Sequence, residues 1–375
     1  MMLEKRKRPP AQDIGRILGG GMSPEDFIKL MNATELNCET FEKVLEQDAE
    51  DFVKVCEQLG DEALSYAQKQ EQAGHIVTAS QYYFNASALY RLGDYGIRGI
   101  TEEKYRVYGK LVESFKKHKL LDKSGSCESI EIPFEGKFMP GFLLIPTNAP
   151  ADVPVVICIV GATGFKEENF IIASSVLERG CAALIFDGPG QGDALLNREM
   201  YLTADNYDRA VKSVIEFIHK DSRLGDKIGL SGVSYGGYLA TSAAAYNIND
   251  VSALVCRGGV SQTDQLTQHS FAGIERFYMY NFLAKFNVDD LEEASEISHQ
   301  MNVEPRLSQI TCPVLVIHSE EDAVAGTEGA HTIYEKVSAE DKEYYEVPGN
   351  VHCGNNEALK TGSYAADWIV DRLTK

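Results

Sequence analysis

No run of about 18 apolar residues, the length a helix needs to cross a bilayer, occurs in the chain. The basic run Lys5-Arg6-Lys7-Arg8 has no apolar segment behind it. Neither a membrane span nor a signal peptide is therefore expected. Basic residues are scarce beside acidic ones: 36 Lys and Arg face 56 Asp and Glu, a net charge of −20. A field of that sign repels nucleic acid and anionic membranes, and neither is expected as a partner. The eight cysteines show no CxxC and no clustering. A disulfide framework or a zinc site needs clustering, so they read as buried thiols of a cytoplasmic protein with no metal centre.

At 375 residues the chain is long for one domain. Residues 1–125 carry helical periodicity, in the stretches Glu42 to Leu59 and Asp61 to Gln72, then Ile76 to Leu92 after a break at Gly74. Ala67, Ala79, Tyr82, Tyr83, Ala86, Ala88 and Tyr90 resemble the spacing of a tetratricopeptide-type helix pair, with the tyrosines as packing residues. One pair makes no solenoid, so this is expected to be a helical accessory domain that acts as a lid. The texture changes at about residue 126. A hairpin across Glu135-Gly136-Lys137 leads into short β-branched runs, Val155 to Val160, Ala182 to Phe186, Lys227 to Leu230, Val251 to Val255 and Val314 to Ile317, separated by helix-spaced stretches. That alternation predicts an α/β fold, a mostly parallel doubly wound sheet over 126–375. The segment between Val255 and Val314 is too long for one crossover, and a helical insertion at about 260–308 is expected before the next strand. Its aromatics, Phe271 to Phe286, either cap a pocket or pack on the sheet.

Gly232-Val233-Ser234-Tyr235-Gly236-Gly237 follows the run Ile228-Gly229-Leu230 and opens a small-residue stretch of helical character. A serine on a sharp strand-to-helix turn, flanked by glycines that let strand and helix approach, is a nucleophile elbow. A serine hydroxyl needs a base, and the base needs a carboxylate that fixes its tautomer. Asp322 stands after the strand Pro313 to His318, ahead of Glu320 and Glu321 as the candidate acid. His352 follows the last strand-like run, Glu343 to Val347, and is the candidate base. The histidines at 75, 118, 219, 269, 299, 318 and 331 fall elsewhere and read as surface or packing residues, and Cys353 beside the base is set aside as a nucleophile. The oxyanion formed on attack needs two N–H donors. Tyr235, after the serine, supplies one; Gly161-Ala162-Thr163-Gly164, after the strand ending at Val160, supplies the other, with Ala162 preferred over Thr163.

These residues resemble a recognisable group, the α/β-hydrolases with an all-helical N-terminal domain: FrsA-like esterases, 2,6-dihydroxypseudooxynicotine hydrolases and the fungal polyketide-shortening hydrolases. The string Asp187-Gly188-Pro189-Gly190-Gln191-Gly192, together with Lys166-Glu167-Glu168, the elbow, Ile310-Thr311-Cys312-Pro313 and Ala366-Asp367-Trp368, carries the resemblance. It implies an α/β-hydrolase fold, a site between the helical domain and the core, and Ser234, Asp322 and His352 working without metal or organic cofactor on a small-molecule substrate, in a homodimer. The group includes both ester hydrolysis through an acyl-enzyme and cleavage of a carbon–carbon bond beside a ketone, as in a 1,3-diketone, and its motifs do not separate these. Ser234-Tyr235-Gly236-Gly237-Tyr238 also resembles prolyl-oligopeptidase-type peptidases. Those carry a β-propeller, and blade-like strand repeats are missing here, so peptidase activity is not expected. A ligand-binding protein on a hydrolase scaffold is the alternative outside enzymes, and the intact Ser, Asp and His in order speak against it.

Overall fold

The computed structural model describes residues 11–33, 50–97, 99–122, 126–264 and 282–375. Cys38, the beginning of the Glu42 to Leu59 stretch, His269 and most of Phe271 to Phe286 lie outside these. The helices before residue 122 form one compact unit and the sheet with its helices another. Among the described residues no helix is long and apolar enough to cross a membrane.

In the first unit, helices α1 (Ala11–Gly19), α2 (Pro24–Ala33), α3 (Glu50–Gln72), α4 (Ile76–Gly96) and α5 (Glu102–Leu121) follow one another. The two stretches read on either side of Gly60 are one continuous helix, α3. Gly60 is a place of close approach rather than a break: a side chain there would run into the Tyr90 ring of α4. Ala67, Ala79 and Tyr83 form a buried cluster. The Tyr83 hydroxyl donates to Glu71 at 2.5 Å and that of Tyr90 to Asp61 at 2.6 Å, so both rings are buried with their polar ends satisfied.

The second unit holds an eight-stranded sheet in the order β1-β2-β4-β3-β5-β6-β7-β8. β1 (Ser126–Phe134) and β2 (Lys137–Ile145) form a hairpin. Its two turn residues, Glu135 and Gly136, have φ of 47° and 77°, the left-handed pair of a tight hairpin turn. β2 runs antiparallel to β4 (Ala182–Phe186). The other pairings, through β3 (Val153–Ile159), β5 (Leu224–Val233), β6 (Val251–Arg257), β7 (Val314–Ser319) and β8 (Lys342–Val347), are parallel. β4 and β7 are buried along their whole length, which is why they read as unbroken apolar runs. On one face pack α6 (Phe170–Leu177) and the terminal helix; on the other pack α7 (Asn206–Ile218) and α8 (Tyr235–Tyr246). Gly229 of β5 leaves room for Ile369 of the terminal helix, and Gly232, of opposite parity, leaves room for Ala240 of α8. This is the α/β-hydrolase fold.

The described part of the insertion contains α9 (Leu291–Gln300), capped by the Asp290 carboxylate, which accepts from Glu293 N at 2.9 Å. Arg306 pins the segment after it to the core through Asp208 (2.9 Å) and Ser242 (2.8 Å). Phe282 meets the Tyr235 ring edge-on at 5.6 Å, so this aromatic packs on the residue after the elbow serine. The described cysteines are free thiols, but Cys127 and Cys312 are half-buried rather than buried: Cys127 lies near the start of the edge strand β1, and Cys312 precedes β7.

Candidate active site

Ser234 has φ 58° and ψ −125°, a conformation that costs a residue with a side chain about 1–3 kcal/mol and persists only where its surroundings enforce it. Here glycines enforce it. A side chain on Gly232 would collide with the Gly236 carbonyl, one on Gly236 with the carbonyls of Ile159 and Val160, and one on Gly237 with the Gly259 backbone at 2.9 Å. The Ser234 N–H donates to Arg257 O at 2.8 Å, tying the turn to the end of β6.

The chain leaves β3 for β4 on one side and returns to β5 on the other, so the loops after β3 and β5 part at this switch point. Gly161 there packs against Ser234: an added Cβ would lie 3.3 Å from the Ser234 Cβ. Gly164 N donates to Gly161 O at 3.2 Å, which makes Ala162 and Thr163 the two central residues of a tight turn beside the serine. Tyr235 is the first residue of α8, where amides lack an intrahelical acceptor and the helix dipole favours negative charge.

β7 and β8 are parallel neighbours, and the loops beyond them continue to pair. Glu321 N donates to Gly349 O at 3.1 Å and Ala323 N to Asn350 O at 3.1 Å. That zipper brings Asp322 and His352 together. His352 Nδ1 lies 2.8 Å from Asp322 Oδ2 and 3.0 Å from Oδ1, and His352 Nε2 lies 2.7 Å from Ser234 Oγ. A carboxylate can only accept, so Nδ1 carries the proton and the neutral ring offers Nε2 to the serine hydroxyl. Asp322 Oδ1 also accepts from Val324 N (2.9 Å) and Ala325 N (2.8 Å). Burial opposes the charge on Asp322, but His352, His318 and the Ala325 amide outweigh it and hold its pKa at about 2. Burial likewise opposes protonation of His352, yet the adjacent Asp322 carboxylate raises its pKa well above 6.5.

Below its folded pKa the imidazole is protonated and cannot accept from Ser234. Activity is therefore expected to rise with pH, with an acid-limb midpoint above 6.5, measured as kcat/KM against pH.

Three features were not apparent from the sequence. His318, read as a surface or packing residue, is wholly buried; its Nε2 donates to Gly326 O at 2.6 Å and lies 3.6 Å from Asp322, so it covers the acid. Arg257 donates to Cys353 O at 2.7 Å and to Asn355 at 3.0 Å, while its own carbonyl holds Ser234 N–H, and so links the serine turn to the histidine loop. Gln191 accepts from Gly188 N and Tyr207 and donates to Val160 O at 3.3 Å, which braces the loop carrying Ala162. The co-occurrence of the Lys166 and Asp187 motifs has its reason too. Asp187 accepts from Lys166 N, Lys166 Nζ and Asp193 N at 2.8 to 2.9 Å, and a side chain on Gly192 would strike that carboxylate.

Fold and site together define an α/β-hydrolase, an enzyme rather than a binding module. Residues 170–370 match the prolyl oligopeptidase family, and the chain belongs to it. It is 29% identical over 323 residues to the 2,6-dihydropseudooxynicotine hydrolase of Paenarthrobacter nicotinovorans, across 84% of this chain and 83% of that protein. A crystal structure of the 2,6-dihydroxy-pseudo-oxynicotine hydrolase superposes with a TM-score of 0.82 at 26% identity, covering 96% of each chain. A hydrolase from a Fusarium species, LUC6, is 30% identical over 242 residues, which span 59% of this chain and 57% of the fungal protein. Est1E from Butyrivibrio proteoclasticus shares the fold, with a TM-score of 0.53 at 20% identity over 67% of this chain and all of that one.

Proposed function

We propose that the protein is a serine hydrolase in which Ser234, His352 and Asp322 form a catalytic triad acting on a small carboxylic ester or aryl ketone. The observation that carries this is the 2.7 Å contact between Ser234 Oγ and His352 Nε2, with the far side of the ring held 2.8 Å from Asp322. As Ser234 Oγ attacks the substrate carbonyl, His352 takes its proton and Asp322 stabilises the imidazolium that results. The N–H groups of Tyr235 and Ala162 receive the oxyanion, each worth about 3 kcal/mol at the transition state. His352 then protonates the leaving group, an acyl-enzyme remains, and water activated by the same histidine releases the acid.

A second reading is cleavage of a carbon–carbon bond beside a ketone. The motifs resemble a group with both chemistries, and the likeness to a 2,6-dihydropseudooxynicotine hydrolase over most of both chains favours it. A parallel screen of aryl and alkyl esters against aryl 1,3-diketones, with products read by mass, separates the two. Ester turnover is expected; turnover of diketones alone moves the assignment to the second reading, and turnover of neither defeats both. We also propose a cytoplasmic homodimer, for which light scattering should return twice the chain mass of 41.4 kDa.

A further inference from the structure

Lys285 is 2% exposed, and its Nζ has no hydrogen-bond partner among the described residues. Its stem lies against Gly190, where any side chain would run into it, and against Leu202, whose N–H donates to Lys285 O at 2.8 Å. Its Nζ stands 5.4 Å from the centroid of the Tyr235 ring, which also makes the T-shaped contact with Phe282. Both supports connect to the serine turn. Tyr235 follows Ser234 in the chain, and the Gly190 loop is fastened by Gln191 to Val160 O, next to the Gly161 that packs on Ser234.

An aromatic face offsets only part of the cost of desolvating an ammonium, and a methionine of similar volume fills such a place without that cost. Among the described residues no carboxylate offsets the rest, and burial brings the Lys285 pKa down to about 7. The chain's charge of −20 repels anionic ligands at long range, so selection of one requires a local cation. On the reading that Ser234 is the nucleophile, we propose that Lys285 is a specificity-determining residue that receives an anionic oxygen of the substrate, a carboxylate or an enolate, carried near the carbonyl under attack. The missing counter-charge then arrives with the substrate.

The test compares neutral 4-nitrophenyl butyrate, the carboxylate-bearing 4-nitrophenyl hemiglutarate and the enolisable 1-phenylbutane-1,3-dione in the wild type and Lys285→Met. The ratio of kcat/KM for an acidic substrate over the neutral ester is expected to fall about 10- to 100-fold in the variant, the range of a hydrogen bond to a charged group. Loss of the ratio for the hemiglutarate points to a carboxylate ligand, and loss for the diketone to an enolate. A measurement on the wild type alone guards against misfolding of the variant: glutarate should compete with the neutral ester more strongly than glutaramide. A ratio unchanged for both acidic substrates overturns the role of Lys285 alone, and equal inhibition by the two overturns its carboxylate form. Absence of turnover on every substrate defeats the hydrolase reading and this inference with it.

Discussion

Replacing Ser234 by alanine is expected to lower kcat by about 10⁶, the scale seen when a triad serine is removed. The fold should survive, because the change deletes one hydroxyl and leaves intact the Ser234 N–H bond to Arg257 O and the glycines that shape the turn. KM should move little by comparison, since the hydroxyl acts in the transition state. Residual turnover would come from the oxyanion donors and binding. Single-turnover kinetics on an ester found active in the screen, with a thermal melt beside it, separate lost chemistry from lost structure. A fall of tenfold or less would remove Ser234 from the nucleophile's role.

Asp322→Asn should cost about 10⁴ in kcat, the scale for a triad aspartate whose replacement by an amide leaves the geometry but permits the wrong histidine tautomer. The sign of the pH effect follows from the same pair. Asp322 raises the His352 pKa, so the variant's acid limb should move to lower pH even as its maximum falls. Stability responds in the other direction. A carboxylate whose pKa is lowered from 3.8 to about 2 stabilises the native state above pH 3.8, and that contribution is lost as pH falls towards 2. In Asp322→Asn this acid-labile part is absent. A kcat within tenfold of wild type, or an acid limb that does not shift, would contradict the pairing.

Much of this was legible in the sequence because the fold places steric demands on particular residues. A turn at φ 58° for Ser234 leaves no room for a Cβ at 232 or 236, and glycines at those positions announce it. Parallel strands buried on both faces announce themselves as apolar runs, and the loops after them could be found by their place in chain order. Gly60 is the opposite case: in the sequence it only separates two helical stretches, and the approach of Tyr90 shows it to be a contact. The proposed oxyanion donors left a faint trace, since backbone amides have no side-chain signature. His318 and Arg257, which pack around the proposed triad, and Lys285 gave no sign in the sequence of lying there. Their burial arises where loops from distant parts of the chain meet, and a lysine or arginine in sequence reads as surface.

Intact-mass measurement after treatment with a fluorophosphonate, followed by peptide mapping, tests the central claim most directly. The triad predicts one adduct per chain, on Ser234, with labelling that slows sharply in His352→Ala. A folded protein that stays unlabelled, or carries its adduct on another residue, would contradict it.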